Sequence, residues 1–129
     1  MKHRIPTRWV VVAFVLVVAI AAAICIPAIP RWHETTPASW VVSDDEAVLT
    51  VWIIGGWDDI AKAELLDQAG TTVQVTGFTK YPHFGFSQAR PAVGACLSVD
   101  LRLDQPLGSR PVVDRDNNPI PGRGNPCQP

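Results

Sequence analysis

The residues able to do chemistry are few and scattered. Gly85 to Ala89, "GFSQA", half matches the turn that presents a nucleophilic serine. That turn joins a strand to a helix in a large α/β sheet and needs an acid and a histidine later in the chain. No histidine follows His83. Asp114 to Pro119, "DRDNNP", sets oxygen ligands at alternate positions, as a calcium loop does, but Pro119 stands where such a loop needs Gly and Asn125 where it needs Glu. It reads as a plain turn. His33 and His83 are isolated, and no His/Cys/Asp cluster has metal-ligand spacing. Asp44, Asp45, Glu46, Asp58 and Asp59 concentrate acid around one apolar run, as a solvated rim or, less simply, a general acid–base pair without a positioned partner. No Gly-rich loop fits a phosphate. The expectation is a protein without catalytic, cofactor-binding or metal-binding residues, and not an enzyme.

One stretch offers recognition instead of reaction. "YPHFGF" places Tyr81, Phe84 and Phe86 in a loop punctuated by Pro82 and Gly85. Exposed, these rings would make a contact patch, since aromatic side chains dominate interface anchors. Folded under the sheet, they would be a minor core, which a small domain needs.

The elements that position these groups begin with an uncharged apolar run, Trp9 to Ile29. As a helix it would measure roughly 30 Å, the thickness of a hydrocarbon core. Trp9 and Trp32 bracket it, and Pro27 and Pro30 suit its end. Lys2, Arg4 and Arg8 precede it and only Arg31 closely follows, so the positive-inside rule puts the N-terminus in the cytoplasm and the rest outside. Two alternatives stay open: cleavage at Ala21–Ala23, and lipidation of Cys25, although Ile24 stands where a lipobox wants a small residue. The expected organisation is a cytoplasmic segment 1–8, a single transmembrane helix (a signal anchor) at 9–29, a stalk at 30–45, a β-rich domain at 46–122, and a Pro/Gly-rich tail at 123–129.

Net charge is −1 for the whole chain, but all 12 acids lie after residue 30 against 8 of the 11 basic residues, which leaves that part at −4. Such a balance excludes a nucleic-acid footprint. Cys96 and Cys127, an even pair in an oxidising compartment, are expected to form a disulfide worth roughly 3–4 kcal/mol.

Ala47 to Ile54 has strand composition and is apolar on both faces, which suits a central strand. Gly55-Gly56 ends it. Ala61 to Leu66 and Thr71 to Thr76 alternate around "DQAG" and read as a hairpin; the rival is a short helix over 58–68, N-capped by Asp58-Asp59. "CLSVDLRL" alternates strictly, with Leu97, Val99, Leu101 and Leu103 on one face. Then "DQPLGSR" turns, and "PVVD" makes a short strand. Pro106 and Gly108 shape the turn and Leu107 and Val112 supply core. Arg110 and Asp114, four apart, share a face as an ion pair or turn contact. The fold class is mainly β, a small antiparallel sheet or sandwich after a single transmembrane helix.

Leu101, Leu103, Pro106, Leu107, Gly108, Arg110, Val112 or Val113, and Asp114 form a pattern that resembles a group of small actinobacterial envelope proteins. "EAVLTVWIIGG" and "AELLDQAGTTVQV" are similar to theirs as well. The resemblance spans about 70 residues. It implies one β-rich domain behind an N-terminal anchor or signal and assigns no activity. Such domains often carry a cysteine after the first strand as partner to one like Cys96. Trp57 stands there in this chain, which leaves Cys96 to pair with Cys127 or stay free.

The functional expectation is a membrane-anchored extracytoplasmic module that binds an envelope protein or a surface polymer. The alternatives are an accessory subunit whose helix contacts its partner through Ala19 and Ala21–Ala23, and a small hydrolase.

Overall fold

Among the described residues, the alternation in the sequence is realised as seven strands after one helix. The computed structural model describes residues 7–25, 29–82 and 94–128. The helix α1 runs Thr7–Cys25 and the strands are β1 (His33–Thr35), β2 (Ser39–Val42), β3 (Val48–Gly56), β4 (Ile60–Asp67), β5 (Val73–Lys80), β6 (Gly94–Arg102) and β7 (Val112–Val113). The helix and the β-domain are separate compact units.

The helix overturns the expected membrane span. It has 19 residues and ends at Cys25, not at Ile29. Thr7 and Arg8 are polar, which leaves about 17 apolar positions, or roughly 26 Å at 1.5 Å per residue. A hydrocarbon core needs about 30 Å. Among the described residues no helix is long and apolar enough to cross a membrane. The single transmembrane helix at 9–29 is therefore corrected to a shorter helix, and the single-pass location with N-terminus inside and C-terminal domain outside falls with it.

The β-domain is built from two sheets. In the first, β5 is central: it pairs antiparallel with β4 on one side, and on the other with β1 antiparallel at 77–79 and with β7 in parallel at 73–74. In the second, β3 lies between β2 and β6, both antiparallel. β3 is central, but only one of its faces is buried: Leu49, Val51 and Ile53 point into the core while Ile54 on the other face is exposed. The 58–68 segment is a strand and turn, not a helix. Asp59 accepts the Gly56 N–H at 2.8 Å and closes the tight β3–β4 connection in place of capping a helix.

The core lies between the sheets. Leu49, Val51 and Ile53 of β3 face Val73 and Val75 of β5, joined by Leu103, Leu107, Val112 and Ile120; all are buried. Within the second sheet, Leu49 pairs with Leu101, Val51 with Val99 and Ile53 with Leu97, a cross-strand apolar ladder. Between the sheets Ile53 packs directly against Gly77. A β-carbon there would lie 2.8 Å from Cδ1 of Ile53 and 3.0 Å from the Thr35 carbonyl oxygen.

Two expected boundaries shift. The stretch 30–45, expected to be a stalk, carries β1 and β2. The tail is also more than a loose end held by Cys127. The Trp40 N–H donates to the Pro121 carbonyl at 3.1 Å and the Gly124 N–H donates to the Trp40 carbonyl at 3.2 Å, so the tail lines the outer edge of β2. The Trp40 indole N–H donates to the Ile120 carbonyl at 2.7 Å, the Ser39 hydroxyl donates to the Gly124 carbonyl, and Gly122 lies against the Trp40 ring. The tail then reaches β6, where Cys96 and Cys127 form a disulfide with Cα atoms 6.1 Å apart.

Two stability predictions follow from this packing. The disulfide spans 31 residues, so Cys127→Ser should cost roughly 3 kcal/mol in urea unfolding, and reduction of the native protein should cost about the same. Gly77→Ala should cost about 1–3 kcal/mol, because Ile53 must leave its place; unchanged unfolding midpoints would show that the sheets yield at this point.

Candidate binding surface

The turn residues singled out in the sequence are brought together, but in a structural role. Leu107 is core. Gly108 has φ of 57°, a left-handed conformation open to glycine at little cost. Its N–H donates to a Glu46 carboxylate oxygen at 2.8 Å, and the Leu107 N–H donates to the Glu46 carbonyl at 3.2 Å. Pro106 gives its carbonyl to Arg110. The Arg110 guanidinium donates to four backbone carbonyls: Leu107 at 3.1 Å, Pro106 at 2.8 Å, Gln105 at 3.2 Å, and Gln68. Gln68 belongs to the β4–β5 turn, and its side chain exchanges two hydrogen bonds with Asp104. Arg110 thus clamps one hairpin onto the next connection.

Asp114 is not its ion-pair partner. One Asp114 oxygen accepts the N–H groups of Asp116 and Asn118, each at 2.9 Å, and the Asn118 amide lies within 3.3 Å of both oxygens. "DRDNNP" is therefore a turn ordered by its first residue, with Asn117 at positive φ, and its oxygens face protein donors.

The acid concentration behaves likewise. Asp45 accepts from the Ser43 hydroxyl and the Ala47 N–H, shaping the β2–β3 hairpin. Asp59 is buried under Gly55 and Gly56. Among the described residues no three of His, Cys, Asp and Glu gather as metal ligands. Phe84, Phe86, His83 and "GFSQA" lie outside the described residues. Tyr81 is half-buried just after β5.

The surface with unspent chemistry is the outer face of the first sheet, which sequence reasoning did not single out. On β5 the odd residues face the core, so Gln74, Thr76, Phe78 and Lys80 face outward. The register sets Lys62 of β4 opposite Phe78, and Glu34 of β1 opposite Phe78 on the other side. The Lys62 ammonium lies 4.6 Å from the Phe78 ring centre and 5.1 Å from that of Trp32. Lys80 lies 5.7 Å from Trp32. Lys62 also pairs with Glu64 at 2.8 Å. Beside this cluster, Glu34 accepts from the Thr76 hydroxyl and pairs with Arg115, both at 2.8 Å. These groups border a polar cleft of about 310 Å³ with Thr35, Thr36 and Asp116. Trp32, expected at a membrane interface, lies instead beside Lys62 and Lys80. The alternation of Lys62 and Glu64 was legible, but only the strand register joins Lys62 to Phe78 and Trp32.

Comparison with known protein families, with characterised proteins and with solved structures finds no match.

Asp45 and Asp114 set the expected acid response. The Ser43 hydroxyl, helped by the Ala47 N–H, lowers the pKa of Asp45. The Asn118 N–H, helped by the Asn118 side chain and the Asp116 N–H, lowers that of Asp114. Folded values below the ordinary value of about 3.9 mean that the unfolded chain binds more protons in acid. This stabilisation is complete above the unfolded value and is lost as pH falls through the folded values. Melting temperature should therefore drop on acidification below about pH 4, and Asp114→Ala should melt lower at neutral pH and show a shallower acid slope.

Proposed function

We propose that the β-domain is a non-enzymatic binding module of the cell envelope, with the outer face of its first sheet as the contact surface. The observation that carries this reading is the cluster of Trp32, Phe78, Lys62 and Lys80, where rings and ammonium groups are held together on one half-exposed sheet face. Trp32 remains 40 % exposed. Aromatic side chains with part of their surface open and their position set by neighbours are the usual anchors of recognition. The disulfide supports a working place in an oxidising compartment. The pattern from Leu101 to Asp114, which resembles actinobacterial envelope domains, points the same way. Asp45, Asp59 and Asp114 aim carboxylate oxygens at backbone amides within their own turns, which supports binding over acid–base chemistry. Contact through a membrane-spanning helix is not carried forward, because among the described residues no helix is long and apolar enough to cross a membrane.

The reading is tested by co-sedimentation of the full chain with purified bacterial cell-wall sacculi. Phe78→Ala should reduce the bound fraction at least about fivefold, while Val41→Ser, on the second sheet, should leave it unchanged. Equal retention of both variants, or release of soluble fragments from the sacculi by the native protein, would overturn it.

A further inference from the structure

Only three lysines occur in the chain, at positions 2, 62 and 80. Both of those in the β-domain come to the same indole, at 5.1 and 5.7 Å from its centre. Their local balance differs. Lys62 is neutralised by Glu64 and lies over Phe78 as well. Lys80 has the Trp32 ring and, among the described residues, no carboxylate partner. An ammonium group beside a partly exposed ring can hold an anion through a local contact. A ring quadrupole attracts a cation weakly at an exposed site; a carboxylate binds it by a charge-assisted hydrogen bond that is considerably stronger.

The shape of the site narrows the ligand. It lies on the outer face of the first sheet, spread from Trp32 beside β1 across β5 to Lys62 of β4 and not along a single strand. A pyranose ring has an apolar C–H face that stacks on an indole, and hydroxyls that need acceptors. Glu64, beside Lys62, has a side chain 50 % exposed, and Glu34 has one 42 % exposed.

We propose that Trp32, Lys62 and Lys80 form a subsite for an acidic sugar unit of a surface polysaccharide, its ring stacked on Trp32 and its carboxylate held by Lys80. This deepens the binding-module reading and rests on it. Lys80 acts as the charge-selecting residue, Trp32 as the platform, and Lys62 as the group that fixes the platform while remaining tied to Glu64.

The test is calorimetric titration of the full chain at low salt with three probes: tetragalacturonate, its methyl ester, and hexaglutamate. Tetragalacturonate should bind saturably, and the ester and hexaglutamate at least tenfold more weakly. Lys80→Gln should weaken tetragalacturonate binding at least tenfold, Lys80→Arg should restore most of it, and Trp32→Ala should abolish it. Lys80→Gln removes only a contact to a ring, so its melting temperature should match the native protein. Absence of saturable binding at millimolar probe, unchanged binding in Lys80→Gln or Trp32→Ala, or hexaglutamate binding as tightly as the sugar would each overturn the subsite. If the subsite fails while sacculus binding still depends on Phe78, the contact surface stands and only the sugar assignment falls. If sacculus binding fails as well, both fall.

Discussion

The contact of Ile53 with Gly77 sets the separation of the two sheets, and the rest of the β-domain depends on it. With no β-carbon at residue 77, the largest inward side chain of β3 at that level seats directly on the backbone of β5. Val73 and Val75 then reach Leu49 and Val51, and the inner face of β5 is sealed. The same seating fixes which residues of β5 look outward. Phe78 and Lys80 are presented because their odd-numbered neighbours are committed to the core. A one-residue slip of β5 would send Phe78 and Lys80 inward and scatter the outer cluster. The surface proposed for binding is therefore a by-product of core packing, held as firmly as the core itself.

Strand composition and alternation were legible where one face is wet. β6 shows this best: Leu97, Val99 and Leu101 turn in, and Ser98, Asp100 and Arg102 turn out. The β4–β5 hairpin was legible against its helical rival because "DQAG" interrupts two alternating runs. Lengths and ends were less legible. The apolar run to Ile29 suggested a span, but the described helix covers Thr7–Cys25. "HET" and "SWVV" are too short and too polar at their flanks to declare themselves strands. They become strands by pairing with β5 and β3, a long-range event that no local pattern records. The binding cluster was hidden for the same reason. Trp32, Lys62, Phe78 and Lys80 come from three separated segments, and only the register joins them.

The acids illustrate how chemistry-bearing residues can be spent on architecture. Asp45, Asp59 and Asp114 each accept backbone N–H groups at a connection, where otherwise unpaired donors would face a partly buried setting. Glu46 does so twice over, with its carbonyl and its carboxylate both serving the 107–108 segment. Arg110 is the complement, a single guanidinium that gathers carbonyls from two connections. A sequence rich in such residues suggests reactivity, and a count of their partners shows connections that are stiff. That stiffness matters for recognition, because a sheet face keeps its geometry only if the turns that join its strands keep theirs.

The covalent link between Cys96 and Cys127 has a consequence in time as well as in stability. Cys96 lies on β6, and its partner is made only after the 103–126 segment, which itself supplies Leu103, Leu107, Val112 and Ile120 to the core. During synthesis the Cys96 thiol and the outer edge of β2 are both open, and that edge can accept a foreign strand. The residues that eventually cover it, Pro121 to Gly124, immediately precede the second cysteine. Covering of the β2 edge and oxidation therefore fall to the same late stretch of chain, residues 121–127.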